Sequence, residues 1–497
     1  MQLINRNFTR LFIGQAVSSV GNYVFDTTLV LWISTKLLAG KSYAPAAVSG
    51  LMVAIALSII VFAPFAGVYV DRWDKRRTMY LSDLLRAGLV GVLVVVALLP
   101  AGTVPIGVTL AFIYAVVLLA TGIGNFFAPA AFAFVGQVVG DDEARAKAAS
   151  FQQSAGYGAA IIGPPLAAPL LFTAGSEWAL IINALSFLFS YAMVRSIRLD
   201  ASADNGTGTG TDTVPTSTAA ANADGTIVPG EANAVLAGAE MVETLQAPVA
   251  VTPAPITEEH HFLKEFRTGL SFVVESRVMR VMIAVVTVAT LSTGALNTLN
   301  VFFVIANLHA DPHLYGTLSM GDGIGAIIGA LTAGWIAKKL GDVRVLYLAL
   351  FAVGIGTIVY ARLGNFVLAI VVTLMIAVPV GALNVAIVPI VLRTVPQEIM
   401  GRAVSVVGPI QQLANIVSVV AAGWLVSTVM RGFHASISGL SIGPIDTIFT
   451  VCGLIMIVSG AYAYFGLRNV GPTTTEQAAV PEQAAAVAGE AVPAAEM

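Results

Sequence analysis

Charge is what this chain has least of. Only 11% of its 497 residues are Asp, Glu, Lys or Arg, less than half the usual share in a soluble domain of ~25%. Water alone could not keep such a surface dispersed. Cysteine is almost missing: Cys452 stands alone, which excludes an intrachain disulfide and any cysteine metal cluster. Net charge is −3, so no basic surface for nucleic acid is expected. No Gly-x4-Gly-Lys-Ser/Thr loop occurs; Gly321-x-Gly-x-Gly lies in an apolar run, without the lysine and hydroxyl of a phosphate loop, and reads as helix packing. No catalytic triad or metal-protease spacing stands out, and Pro312 interrupts the helix that His309 and His313 would need to share a metal. We therefore expect no enzyme activity, no cofactor and no bound metal.

What the chain does have is long hydrophobic runs. Mean hydropathy is +0.86 and 57% of residues are hydrophobic. Apolar runs of about 20 residues, each able to cross ~30 Å of hydrocarbon, are predicted at 11–34, 46–70, 79–100, 105–131, 150–174 and 178–197. Six more follow at 280–306, 315–337, 344–362, 365–391, 403–429 and 446–467. Arg6 and Arg10 before the first run resemble a signal peptide, but that run is long, holds Asp26 and lacks a clear cleavage site, so a retained helix is expected. Residues 200–261 separate the two sets. They are rich in Ala, Thr, Gly and Pro, carry no Lys or Arg, and cannot bury enough apolar surface to fold alone. Residues 468–497 form an Ala/Glu/Pro-rich tail of the same kind. Phe262, Phe266, Leu270 and Val273 recur at helical spacing, so 262–279 is expected as an amphipathic helix on the membrane surface. The expected architecture is an all-α integral membrane protein of twelve transmembrane helices: a six-helix bundle at 1–199 and another at 280–467.

The few cations are distributed asymmetrically. Of 25 Lys and Arg residues, Lys36, Lys41, Arg362 and Arg431 fall on one side of the membrane and Arg86 falls within a span; all others fall on the side of the linker and termini. Basic residues favour the cytoplasmic face. The linker and both termini are therefore expected in the cytoplasm, with the helices in the plasma (inner) membrane.

Two charged turns punctuate the halves at corresponding positions: Gly67-Val-Tyr-Val-Asp71-Arg72-Trp-Asp-Lys75-Arg76-Arg77 and Gly334-Trp-Ile-Ala-Lys338-Lys339-Leu-Gly341-Asp342-Val-Arg344. The first resembles the signature Gly-x-x-x-Asp-Arg-x-Gly-Arg/Lys-Arg/Lys of major-facilitator transporters. Gly67, Asp71, Arg72, Lys75 and Arg76 match, and Asp74 replaces the inner glycine. Leu11-Phe-Ile-Gly-Gln-Ala-Val-Ser18, with Gly21 and Phe25-Asp26, resembles the macrolide-efflux and enterobactin-exporter-like branch, as do Gly401-Arg402 and the surface helix. The resemblance implies two pseudo-symmetric bundles rocking about a central cavity lined by helices one, four, seven and ten. It also implies a cytoplasmic gate at Gly67, Asp71, Arg72, Lys75 and Arg76; enforcing topology and binding lipid headgroups is the alternative role for these residues. Tyr157 to Ala168, with Gly158, Gly163, Pro164 and Pro165, resembles the antiporter motif of drug exporters, with alanines in place of its final glycines, or serves packing alone.

Ionisable groups inside spans are costly and mark function or a structural pairing. Gln15, Ser19, Asn22 and Asp26 share one helix face, and Asp26 is the leading candidate to carry a coupling proton or meet a cationic substrate; anchoring a neighbouring helix is the alternative. Asp322, among small residues, is the second proton-coupling candidate; a residue near the outer mouth that simply stays hydrated is the alternative. Asn125, Asn297, Asn300, Asn384, Gln411 and Asn415 complete the candidate substrate cavity, with interhelical bonding the alternative for each. Asp83 and Arg86, one turn apart, are expected near the inner surface as a pair or snorkelling. The reading that follows is a proton-coupled exporter of amphipathic small molecules, functioning as a monomer. A facilitator or uptake symporter, and a membrane sensor or accessory protein, are the alternatives.

Overall fold

The computed structural model describes residues 3–100, 102–140, 142–197, 276–394, 400–433, 435–437 and 440–468. Twelve long helices are present: α1 (Arg6–Leu31), α2 (Ala44–Arg72), α3 (Lys75–Leu98), α4 (Ile106–Val138), α5 (Asp142–Pro169), α6 (Ser176–Ser196), α7 (Arg277–Ala306), α8 (Tyr315–Leu340), α9 (Asp342–Tyr360), α10 (Phe366–Thr394), α11 (Met400–Trp424) and α12 (Pro444–Leu467). Eleven are long and apolar enough to cross a membrane. The twelfth, α1, is diluted by Arg6, Arg10, Gln15, Asn22 and Asp26. The all-helical expectation holds apart from a short antiparallel hairpin, β1 (Ala435–Ile437) and β2 (Leu440–Ile442), between α11 and α12. The expected linker, surface helix and tail lie outside the described residues.

Several helices begin earlier than hydropathy predicts, because capping decides the start. Asn5 caps α1 by accepting from the Phe8 amide at 2.7 Å. Asp74 caps α3 by accepting from the Arg77 amide at 2.6 Å. A side-chain oxygen at this position satisfies one of the orphan N–H groups of the first turn. It accounts for an aspartate where the signature turn has glycine.

The two halves repeat one packing plan. In the first, α1 packs on α5 and α6, α2 on α4, and α3 on α4 and α6; in the second, α7 packs on α11 and α12, α8 on α10, and α9 on α10 and α12. Each pairing reappears six helices later. The symmetry extends to detail, since α5 and α11 both end in a π-helical turn, Leu170–Ala174 and Leu425–Val429. Each half has its own apolar core, one built around Leu29, Leu51, Val90, Ile113 and Phe187, the other around Leu299, Phe303, Leu318 and Phe449.

Without a hydrophobic drive between helices in lipid, close backbone approach through small residues holds them together. In α8, Gly325 and Gly329 let the α10 carbonyls of Leu374 and Val378 come so near that no Cβ would fit, and Gly381 of α10 does the same for Ala326. Gly325, the last glycine of the run read as helix packing, lies in this seam.

Candidate functional site

The halves meet at one end. Ser49 Oγ of α2 donates to Val419 O of α11 at 2.9 Å, and the Ala46 amide donates to Ser427 Oγ at 3.2 Å. Related by the pseudo-twofold, α5 meets α8: Gly316 abuts the Pro164 carbonyl, and a Cβ at Gly323 would lie 3.0 Å from Ile161. The His313 ring sits 4.2 Å from that of Phe172. All these residues lie at the ends of the helices remote from the charged turns. At the other end, Gly67 of α2 and Gly334 of α8 have no neighbour within reach of a Cβ. Among the described residues, the contacts between the halves thus gather at the end remote from the charged turns.

Asp26 is exposed although it stands amid the helices of the first half. The charge that acts on it belongs to Arg86. Arg86 Nη2 donates to Asn22 Oδ1 at 3.2 Å, one turn before Asp26 on α1. The guanidinium carbon lies 4.1 Å from the ring centroid of Phe187 on α6. A Cβ at Gly124 of α4 would lie 3.5 Å from it. Four helices thus converge on one cation, whose charge acts on the exposed Asp26 carboxyl. Asp83, one turn before Arg86, is fully buried. Arg86 lies ~16 Å along α3 from Lys75 at ~1.5 Å per residue, and it turns inward to α1, α4 and α6.

In the second half, Asp322 of α8 is half-buried and its charge reaches Tyr315 and Tyr360. Tyr360 donates its hydroxyl to Asn300 Oδ1 at 2.7 Å. The other polar residues divide. Gln15 accepts from Gln152 Nε2 of α5 at 2.8 Å, and Asn125 Nδ2 donates to Ser58 O of α2 at 3.3 Å, both joining neighbouring helices. Asn297 and Asn384 are half-buried. Gln411 is buried together with Gln412, which the sequence reading passed over, and neither amide has a hydrogen-bond partner. Asn415 packs against Gly294 of α7. In α5, Gly163 abuts Tyr23 of α1 and Pro164 and Pro165 abut Gly316, whereas Gly158 faces open space.

The charged turn divides too. Lys75 Nζ donates to Val70 O at 2.6 Å and Asp71 O at 2.7 Å, closing the carbonyl end of α2. Arg76 donates to Val194 O at 3.3 Å and also to Arg195 O at the end of α6. Cations there complement the negative pole of each helix. Asp71 and Arg72 remain exposed.

Known proteins repeat this architecture. The nucleoside transporter NupG superposes with TM-score 0.61 at 10% identity, covering 93% of this chain and 99% of that one. A bacterial homologue of the iron transporter ferroportin, in an inward-facing state, superposes with TM-score 0.61 at 11% identity over 93% and 98% of the two chains. Among sequences, the MFS-type transporter YkuC of Bacillus subtilis (strain 168) is 30% identical over 199 residues, 40% of this chain and 43% of its own. Macrolide efflux protein A of Streptococcus pyogenes is 27% identical over 198 residues, 40% of this chain and 46% of its own. The putative bacilysin exporter BacE of Bacillus amyloliquefaciens is 27% identical over 212 residues, again 40% and 46%. The matched stretch spans somewhat under half the length of these curated relatives. The family model of the Major Facilitator Superfamily matches residues 11–287 and 281–493. With twelve long helices in two repeated halves among its described residues, the chain belongs to the Major Facilitator Superfamily and is a multi-pass integral membrane protein.

Proposed function

We propose that this transporter is a proton-coupled exporter of amphipathic small molecules, with its termini and linker in the cytoplasm of a plasma (inner) membrane. The observation that carries the reading is the Asp26 carboxyl, accessible inside the first half and held in the field of Arg86. A carboxyl so placed can exchange a proton with the crevice while its charge changes the energy of the surrounding helices. The efflux-named relatives support the direction of transport, and the inner excess of Lys and Arg supports the orientation. With that orientation, the crevice opens to the cytoplasm, the side from which an exporter loads. Nucleoside and peptide transporters share the fold, so direction rests on the sequence relatives and not on shape.

The test is accumulation of a fluorescent amphipathic cation or a labelled macrolide in proteoliposomes containing inserted protein. An imposed pH gradient should drive accumulation against the substrate gradient. Flux that merely equilibrates substrate, whatever the pH gradient, supports a facilitator instead; no flux for a broad panel supports the sensor or accessory role.

Asp71 and Arg72 then form the cytoplasmic gate, and their exposure suits a latch released while the crevice faces inward. Asp71→Asn should slow transport per inserted molecule and spare insertion, because Lys75 and Arg76 cap their helices without the Asp71 side chain. A variant that transports at the parental rate would leave the turn a topology and lipid-binding element.

A further inference from the structure

Asp83 has no part in the proposal above, yet it is fully buried in the first half. It precedes Arg86 by three residues, so both lie on one face of α3. Its carboxyl lies against Ser190 of α6, and the charge of Arg86 acts on it as well as on Asp26. The charge of Arg86 therefore acts on two carboxyls in very different settings, Asp26 exposed and Asp83 buried with neither oxygen hydrogen-bonded.

Among the described residues, no other charged group lies mid-helix on the elements that meet here, and on α3 itself Lys75, Arg76 and Arg77 stand in the first turn. The helix α4 has no Asp, Glu, Lys or Arg. On α6, Glu177 and Arg195 stand near opposite ends, on α1 the only other charges are Arg6 and Arg10, and on α5 all charges fall in the first turns. Asn22 and Ser190 are the polar neutral neighbours. With both carboxyls ionised the cluster carries one uncompensated negative charge, and the interior of a bundle penalises a net charge heavily. One bound proton restores neutrality; two would leave the arginine uncompensated.

We infer that Asp26, Arg86 and Asp83 act as one unit holding a single exchangeable proton, with Arg86 as the positioning residue that pairs with whichever carboxyl is ionised. The inference rests on the proton-coupled reading and deepens it. A proton from water in the crevice adds to a carboxylate oxygen of Asp26; the guanidinium then pairs with ionised Asp83. Departure of the proton to water leaves both carboxylates ionised and competing for the one guanidinium, a net negative charge that favours rebinding of a proton. Because the two carboxyls share one cation, their titration belongs to the pair. Moving the guanidinium tugs at Asn22 of α1 and Phe187 of α6, so protonation is converted into helix displacement.

Infrared difference spectroscopy of the full chain in lipid nanodiscs tests this without any substrate, by counting protonated carboxyls through their C=O stretch at neutral pH. Wild type should show one that depends on this cluster. Asp26→Asn and Asp83→Asn should each abolish it, because the remaining carboxyl then pairs fully with Arg86. Arg86→Gln should double it, and Arg86→Lys should preserve it. If Arg86→Gln does not yield monodisperse protein, Asp83→Asn and Arg86→Lys decide alone. A signal lost in Asp26→Asn but unchanged in Asp83→Asn overturns the shared unit and leaves Asp26 as a solitary carrier. A signal independent of both aspartates overturns the shared unit, and proton-driven flux that also survives Asp26→Asn overturns the coupling reading itself.

Discussion

Replacing Asp26 with asparagine is expected to abolish concentrative transport while leaving the protein folded and inserted. Asparagine keeps the shape and the hydrogen-bonding oxygen near Asn22 and Arg86 but cannot bind or release a proton. A gradient of one pH unit supplies ~1.4 kcal/mol per proton, enough to concentrate a substrate about tenfold when one proton moves per cycle. The variant should lose that whole factor and at most equilibrate its substrate. Accumulation in proteoliposomes, at matched insertion and under the same pH gradient, is the measurement. Undiminished accumulation by Asp26→Asn would remove Asp26 from the coupling path and shift attention to Asp322, the other carboxyl set within a span.

The second large effect is expected at Gly316, where the halves touch. Its backbone abuts the Pro164 carbonyl and the Pro165 Cα, and backbone atoms cannot rotate aside as a side-chain end can. A valine there should wedge α8 from α5. Overpacking of this kind costs about 1–3 kcal/mol, which corresponds to a shift of roughly 5–150-fold away from the conformation closed at this end. The cost falls on the contact between halves and not within either one, so each bundle should keep its fold. Spin labels at Thr173 and Leu314, both exposed and on opposite halves at this end, would report it. A growing population at longer separation is expected in Gly316→Val. An unchanged distance distribution in correctly folded protein would show that this contact does not hold the end closed.

Much of this molecule can be read without coordinates. A lipid-embedded backbone must satisfy its hydrogen bonds internally, so each long apolar run has one stable solution, and every run expected as a span is a helix. The repeat of the charged turns announced two similar halves, and the packing plan repeats helix for helix. The candidate site was less legible. Gln15 and Asn125 carry the same residue types as a substrate cavity would, yet they join neighbouring helices, because helical spacing gives the face of a residue and not the partner that face meets. Arg86 illustrates the converse. Expected as a pair with Asp83 or as a snorkelling cation near the inner surface, it is met by Asn22, Gly124 and Phe187 of three other helices, contacts that no spacing within α3 encodes.

The one-dimensional pattern determined the number of helices, their repeat, the scarcity of charge and the identity of the few ionisable groups buried among them, since these follow from the hydrocarbon thickness and the cost of polar groups within it. Only the tertiary structure decided which of those groups meet and at which end the halves touch. Both depend on contacts between helices far apart in the chain: Asn22, Arg86 and Phe187 converge on a cation, and Pro164 and Gly316 close one end, through surfaces that no local spacing encodes.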